Sequence, residues 1–489
     1  MGEAEYTFKH ALTQEVAYNC VLMERRRLLH ERTGEAIEAL FKERIDDHLA
    51  ELAHHYSRSA NTRKAVEYLS RAGSQAEARF AYSEAVTRLS SALELLKQLP
   101  DDAERARQEL SVQSVLGRSL GVVKGFSAAE LEPVYARARE LCAQIRDPAL
   151  AFDAVYGQWL VCHWKLELDK ALELADELLA AAEDTKDPAM LLGGNLARGA
   201  ILLQLGELVS GNEHQVKALA VLDLRQPLSA GLEGQRISSF YFLSSGLRGL
   251  GYPDRARAIS REMLEVAQRS SAPSILAQAT VYAALNDLAG GDPPAAQKYA
   301  EEAMALTEEL GLATFSAIAT TFNGAALIAQ GRYEEGIAGL RRGISAWRAT
   351  GGGPYALPLC FLAIGLGGIG RPEEGLQVLE EGFASVAKTG EQIISPYLHN
   401  FKGWLLLIRN PSDVAEAEQC FRAAVEIARR QSARLIELGA TTSLAGLLTQ
   451  QGKRGEARAM LAEIYGWFTE GFDTADLKDA KALLDELSA

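Results

Sequence analysis

Three groups of residues in this sequence could do chemistry by type and spacing. Gly365-x-Gly367-x-x-Gly370 carries the letters of a dinucleotide-binding turn. Such a turn needs a strand before it, a helix after it and an acidic residue about twenty positions on. Here the three glycines end one helical pattern and lead into a turn, so they predict close helix packing instead. The stretch "DDHLAELAHHY" holds His48, His54 and His55, with Glu51 four residues before His55. Two ligands at that spacing could share a metal ion. His-Glu-x-x-His is absent and no further ligand converges, so packing and surface histidines are expected. The third group is aromatic. "YGQWLVCHWKLEL" places Trp159 and His163 four apart with Trp164 offset, and "SSFYFLSSGLRGL" runs Phe240, Tyr241 and Phe242 consecutively. Three consecutive helical positions span about 200°, wider than a core stripe, so at least one ring faces away from the core. Aromatic side chains anchor peptide interfaces well. Trp159, Trp164, Tyr241 and Phe242 are therefore the candidates for binding a protein or peptide partner.

Other chemistry finds no footing. There is no Gly-x4-Gly-Lys-Ser/Thr phosphate loop and no Gly-x-Ser-x-Gly nucleophile elbow. The five cysteines, Cys20, Cys142, Cys162, Cys360 and Cys420, are scattered and form no Cys-x-x-Cys pair, so neither a disulfide framework nor a zinc site is expected. A reducing cytoplasm fits them. The reading is a chain without catalytic residues, metal site or cofactor. Its formal net charge of -14 repels nucleic-acid backbones and anionic membranes, which leaves neither as an expected partner. The run Arg25, Arg26, Arg27 is flanked by Glu24 and Glu31 and reads as a solvated helical face. The uncharged stretch Ala349 to Gly370 is broken by Gly351, Gly352, Gly353, Pro354 and Pro358, so it predicts a buried core helix over Leu359 to Ile369, not a membrane span. Leu312 to Gly331, similarly uncharged, reads the same way.

All of these residues sit on one organising pattern. "GRYEEGIAGLRRGISAW" and "GRPEEGLQVLEEGFASV" each open with a glycine. A small residue follows five on (Gly336, Gly375), then an apolar residue four later (Leu340, Leu379), then a small one again (Gly343, Gly382). The register recurs as Ala256/Ser260/Met263, Ala296/Ala300/Ala303, Ala417/Phe421/Ala424 and Ala457/Leu461/Ile464, a period of about forty residues. Less evenly spaced copies are Ala65/Leu69/Ala72, Ala85/Leu89/Ala92 and Ala171/Ala175/Leu178. Spacing of i, i+4, i+7 places three residues on one helical face, and small residues there let a second helix approach. Each unit is then a helix hairpin that must stack on neighbours to bury its apolar stripe. The pattern is similar to the second helix of a tetratricopeptide repeat, with a period longer than the usual 34 residues. No strand alternation persists. The fold class expected is an all-α, right-handed superhelical solenoid of about ten to eleven helix pairs over residues 45–489, weakest at Phe126 to Arg146, where Pro133 interrupts, and at Gly211 to Gln235. In such a solenoid the first helix of each hairpin lines the concave, binding face.

Residues 1–44 read as a separate piece. Phe8-Lys9-His10-Ala11-Leu12, Glu15-Val16-Ala17-Tyr18 and Arg25-Arg26-Arg27-x-x-His30 together resemble the end of the winged-helix domain that follows the ATPase in STAND-class signalling ATPases. The resemblance is closest to bacterial proteins that join a class III adenylate/guanylate cyclase, such an ATPase and a tetratricopeptide region. It continues through "LAHHYSRSANTRKAVEYLSRAG" and "AYSEAVTRLSSALELLKQLP" and returns in "YGWFTEGFDTADLKDAKALLDEL". It implies that the cyclase, the P-loop ATPase and most of the winged helix lie upstream of this chain. It also implies a nucleotide-sensing role for His10 in the intact parent, at the position of the Met-His-Asp histidine, with Ala11 in place of the aspartate. The resulting expectation is the sensor arm of a cyclase- or ATPase-linked signalling protein, possessing a partner on its concave surface, with the parent's own ATPase domain as one candidate. The alternatives are a free-standing scaffold and a relative of maltose-type transcription activators. The acidic final segment "TADLKDAKALLDELSA" speaks against the helix-turn-helix that the latter require.

Overall fold

The computed structural model describes residues 11–145, 148–221 and 228–488. Among these residues the chain forms α-helices joined by short turns, with two brief 3-10 segments and no strand. The expected all-α solenoid of helix hairpins is what the chain builds.

Two compact units divide it. The first comprises residues 1–120 and 137–150. Its described part includes the hairpin Thr62–Ala78/Tyr82–Leu96, where Gly73 lies against Leu89. The second comprises residues 121–136 and 151–489. It runs through successive hairpins from Pro148–Lys165/Leu168–Thr185 to Arg434–Gln450/Arg454–Tyr465 and is capped by Ala475–Ser488.

The sequence supplies the starts and stops of these helices. Proline occupies the first turn at Pro188, Pro253, Pro273, Pro293 and Pro372, where its missing N–H has no intrahelical acceptor to lose. Asp187 and Asp292 cap their helices by accepting from Met190 N at 2.9 Å and Ala295 N at 3.1 Å. The turn glycines Gly331 and Gly370 have φ of 79° and 74°, a left-handed conformation that side-chain-bearing residues adopt at a cost. Pro133 falls in the first turn of Leu131–Ile145 and interrupts nothing, because the first N–H groups of a helix are free in any case.

Packing follows the forty-residue register. Ala256 and Met263, Ala296, Ala300 and Ala303, Leu340, Leu379, Ala417 and Ala424, Ala457 and Leu461 are all buried. Burying each leucine is worth about 1.5–3 kcal/mol. The tightest hairpin is Ala313–Ala329/Tyr333–Ala349. A Cβ on Gly324 would lie 2.5 Å from Leu340 N, so these two helices touch backbone to backbone.

The second unit also closes on itself over long sequence distances. Ser127 Oγ donates to Thr350 O at 2.9 Å, and Gly353 N donates to Trp164 O at 3.1 Å. Further along, Gly471 N donates to Asp254 Oδ2 at 2.9 Å. Residues roughly two hundred apart thus meet, and the first helices of successive hairpins pack on one another. No helix among the described residues is long and apolar enough to cross a membrane. Leu357–Gly368, at the centre of the uncharged stretch, is a core helix with Cys360 and Ala363 fully buried.

Candidate functional site

The helix Pro148–Lys165 carries two of the four expected partner-binding residues. Trp159 is 2% exposed and belongs to the core formed with Phe152, Leu174 and Leu178. Its ring stacks on His163 at 5.0 Å, and its Nε1 has no hydrogen-bond partner among the described residues. Trp159 is therefore a packing residue first; its i, i+4 partner His163 closes over it. Trp164, offset from that face as its position requires, is half-buried. It lies 5.8 Å from Phe126, 5.8 Å from Trp347 and 6.1 Å from Phe315, ring to ring.

Tyr241 and Phe242 sit on the helix Ala230–Gly249 and are also half-buried, whereas their neighbour Phe240 is buried at 4% exposure. The run of three rings thus splits between buried and half-buried positions as its angular spread predicts. Tyr241 stacks on Tyr282 at 4.3 Å, and Phe242 meets His163 edge-on at 6.0 Å. Tyr282 in turn lies 6.2 Å from Phe315. Through His163, the structure joins all four sequence candidates, carried by the two helices Pro148–Lys165 and Ala230–Gly249, in one aromatic band. Tyr282, Phe315 and Trp347 belong to the same band and went unrecognised in the sequence. The forty-residue period held the signal: Tyr241 and Tyr282 stand one repeat apart, as do Phe315 and Tyr355.

Polar groups are buried in the same unit. His163 is buried, and desolvation pulls its pKa down to about 4, so the ring is neutral near pH 7. Glu391 is 2% exposed. Burial pushes its carboxyl up to about 8, against the opposing effect of a backbone hydrogen bond from Ala356, and Oε2 has no partner among the described residues. The phenols of Tyr241, Tyr355 and Tyr397 are raised by desolvation as well. A cavity of ≈ 330 Å³ opens beside this region, lined largely by apolar side chains including Ile318, Phe322, Trp347, Tyr355 and Leu359.

The histidines of the first unit form a different cluster from the one their spacing suggested. His48 Nδ1 reaches Glu51 Oε2 at 3.1 Å, while His55 turns to His30, Nδ1 to Nδ1 at 3.0 Å. Tyr18 OH lies 2.9 Å from His30 Nε2. A hydrogen bond between two ring nitrogens needs one donor and one acceptor, so at least one of this pair is neutral. Desolvation lowers the pKa of His30, His54 and His55 in the same direction. No group of ligand side chains that could hold a metal occurs among the described residues. The three glycines of the dinucleotide-like motif pack helices: a Cβ on Gly365 would lie 2.7 Å from Ile328 Cδ1, and one on Gly367 2.6 Å from Leu405 Cδ2. His10 lies outside the described residues.

No family model matches the chain. An uncharacterized protein of Rhizobium meliloti (strain 1021) is 24% identical over 440 residues, which cover 88% of this chain and 42% of that protein. The chain thus spans less than half the length of the curated relative it matches. Among solved structures, the Cut9–Hcn1 hetero-tetramer of the APC/C is similar over 98% of this chain and 99% of that one, at 14% identity and a TM-score of 0.48. A Rap protein complexed with competence and sporulation factor is similar over 86% and 99%, at 13% identity and a TM-score of 0.43. Yeast Tom70 is similar over 96% of each chain, at 12% identity and a TM-score of 0.35.

Proposed function

We propose that this chain is a non-catalytic regulatory solenoid that receives a protein or peptide on the aromatic inner face of its second unit. The observation that carries the reading is the band joining Trp164, Tyr241 and Phe242 to Tyr282 and Phe315. Trp164, Tyr241 and Phe242 are half-buried, over the buried Tyr282 and Phe315, and such rings offer a partner large contact area at low entropic cost. In the finer form of the proposal, the solenoid is the sensor arm of a STAND-class signalling ATPase of the type fused to class III cyclases. Partner binding then biases that ATPase between closed and open states. Residues 1–44 are the remnant of its winged helix, residues 45–489 are the sensor, and His10 reads nucleotide only in the intact parent. Val16, Leu22, Met23, Leu28, Leu29 and Leu40 are all exposed, at 48–80%, and such an apolar face suits coverage by a neighbouring domain. The setting is the cytoplasm of a bacterium, in line with five scattered cysteines that form no Cys-x-x-Cys pair.

Sequencing the native gene upstream of the Met1 codon tests the finer form. An open frame encoding a P-loop and a cyclase supports it, and an in-frame stop immediately upstream overturns it. The inner-face reading is tested in the parent protein with Trp164→Ala and Tyr241→Ala. Changed regulation of ATP hydrolysis at unchanged melting temperature is expected; unchanged regulation with lowered melting would make both rings simple packing.

A further inference from the structure

A second cavity in the second unit has the opposite chemistry. The hairpins Ala230–Gly249/Pro253–Arg269 and Pro273–Ala289/Pro293–Glu309, with Asp473, Thr474 and Ala475, enclose ≈ 460 Å³ lined mainly by polar side chains. That volume falls in the range of small-molecule sites.

Two of its arginines, Arg248 and Arg261, make no direct ion pair among the described residues, whereas Arg257 pairs with Asp254 and Asp473. Arg248 is 8% exposed, its Nε has no partner, and no carboxylate pairs with it among the described residues. Its only hydrogen bond there runs from NH1 to Asn286 Oδ1, at 3.4 Å. Asn286 is itself held by donating from Nδ2 to Ser260 Oγ at 3.2 Å, so a buried amide aims the guanidinium. Arg261 also lines the cavity without an ion pair among the described residues. The acidic neighbours are mostly engaged elsewhere. Asp473 pairs with Arg257 at 3.3 Å, and Asp292 caps its helix through Ala295 N. Asp287 remains, with its carboxyl raised to about 6 by burial and by the charge of Asp292, against the opposing charges of Arg248, Arg257 and Arg261; it balances part of their charge without a direct ion pair.

A buried charge without a partner costs several kcal/mol, and arginine cannot escape by losing its proton. An external anion offsets that cost and uses the planar fork of the guanidinium. We propose that this cavity binds a small organic oxyanion, a carboxylate or a phosphate, on Arg248 and Arg261, with hydroxyl or ammonium groups of the ligand donating to Asp287. The proposal is separate from partner capture on the aromatic band and stands or falls on small-anion binding.

The test is calorimetry and thermal melting of the full chain with inorganic phosphate, glycerol 3-phosphate and L-malate, each against chloride at matched ionic strength. Saturable binding of at least one oxyanion, with a rise in melting temperature, is expected. Binding by the phosphates alone assigns a phosphoryl ligand, and binding by malate alone a carboxylate. Arg248→Met should weaken that binding at least tenfold, and Asp287→Asn should weaken glycerol 3-phosphate or malate more than inorganic phosphate. If Arg248→Met does not fold, the exposed Arg261→Met provides the same comparison. No saturable effect from any of the three at about 10 mM, or equal binding by the folded arginine variants, overturns the proposal.

Discussion

Two hairpins of the second unit share one register and end with opposite interiors. In Ala313–Ala329/Tyr333–Ala349 the register residues are Gly336, Leu340 and Gly343, and Leu340 is fully buried between backbones that touch. In Ala230–Gly249/Pro253–Arg269 they are Ala256, Ser260 and Met263. There the middle position is a serine that holds Asn286, which in turn holds Arg248 beside a polar cavity. The flanking register residues, Gly336 and Gly343 in one and Ala256 and Met263 in the other, are buried in both. The register decides which faces meet. The middle residue decides whether the hairpin seals or keeps a polar group inside.

The largest expected effect lies at another polar group that the second unit keeps buried, Glu391. Its folded-state pKa is raised to about 8, so the folded protein holds a proton that the unfolded chain has already lost between the ordinary carboxyl value and pH 8. Its contribution to stability is complete below the ordinary value and is lost as the pH rises to about 8. Each pKa unit is worth about 1.4 kcal/mol. Urea unfolding at pH 5, 6.5 and 8 should therefore show stability falling toward pH 8 more steeply in the wild type than in Glu391→Gln. Equal slopes would place the Glu391 carboxyl in water. Taking the difference between the two proteins removes the other groups that titrate in this window, Asp287 among them.

The dry hairpin supplies the next effect. A Cβ on Gly343 would lie 2.6 Å from Thr321 N, which belongs to a helix backbone and cannot swing aside. Gly343→Leu should cost about 3 kcal/mol and lower the urea midpoint accordingly. Gly446 in Arg434–Gln450 has nothing within 4 Å of its would-be Cβ. Gly446→Ala should instead add about 0.5–1 kcal/mol through lower entropy of the unfolded chain. If Gly343→Leu proved as mild as Gly446→Ala, the two helices could not be in backbone contact.

The contrast also marks how much could be read before any coordinates. The positions from Ala256 to Ile464 announced themselves, because a forty-residue repeat of small and apolar residues has one packing solution. The division of Phe240, Tyr241 and Phe242 between buried and half-buried positions was legible because three rings in a row cannot share one stripe. Trp159 misled, since an i, i+4 pair with His163 looks alike whether it faces a partner or the core. Arg248 stood inside the very stretch that drew notice for its aromatics, "SSFYFLSSGLRGL", and gave no sign. Arginine near a helix C-terminus is ordinary in sequence, and nothing local announces that it is buried against Asn286 of the next hairpin. Glu391 was hidden for the same reason, because burial produced by residues far apart in the chain leaves no local pattern.

The smallest expected effect, at Ser432, tests the turn itself. Gly331 closes its helix with N donating to Ile328 O and the following Arg332 N donating to Leu327 O, both at 2.9 Å. Ser432 makes the same pair of bonds, to Arg429 O at 3.0 Å and, through Ala433 N, to Ala428 O at 2.8 Å. It does so at φ 57°, where a Cβ is strained. Ser432→Gly relieves that strain but frees the unfolded chain, so a net gain of about 0.5 kcal/mol is expected. Leu166 has the same φ of 57° yet is 6% exposed, within the core around Trp159. Leu166→Gly gains the same relief and loses a buried leucine, worth about 2–5 kcal/mol, so it should destabilise. Thermal melts of the two variants should therefore shift in opposite directions. A rise in both would mean that backbone strain, not packing, governs both turns, and a fall in both that relief of strain at Ser432 does not outweigh the freer unfolded chain.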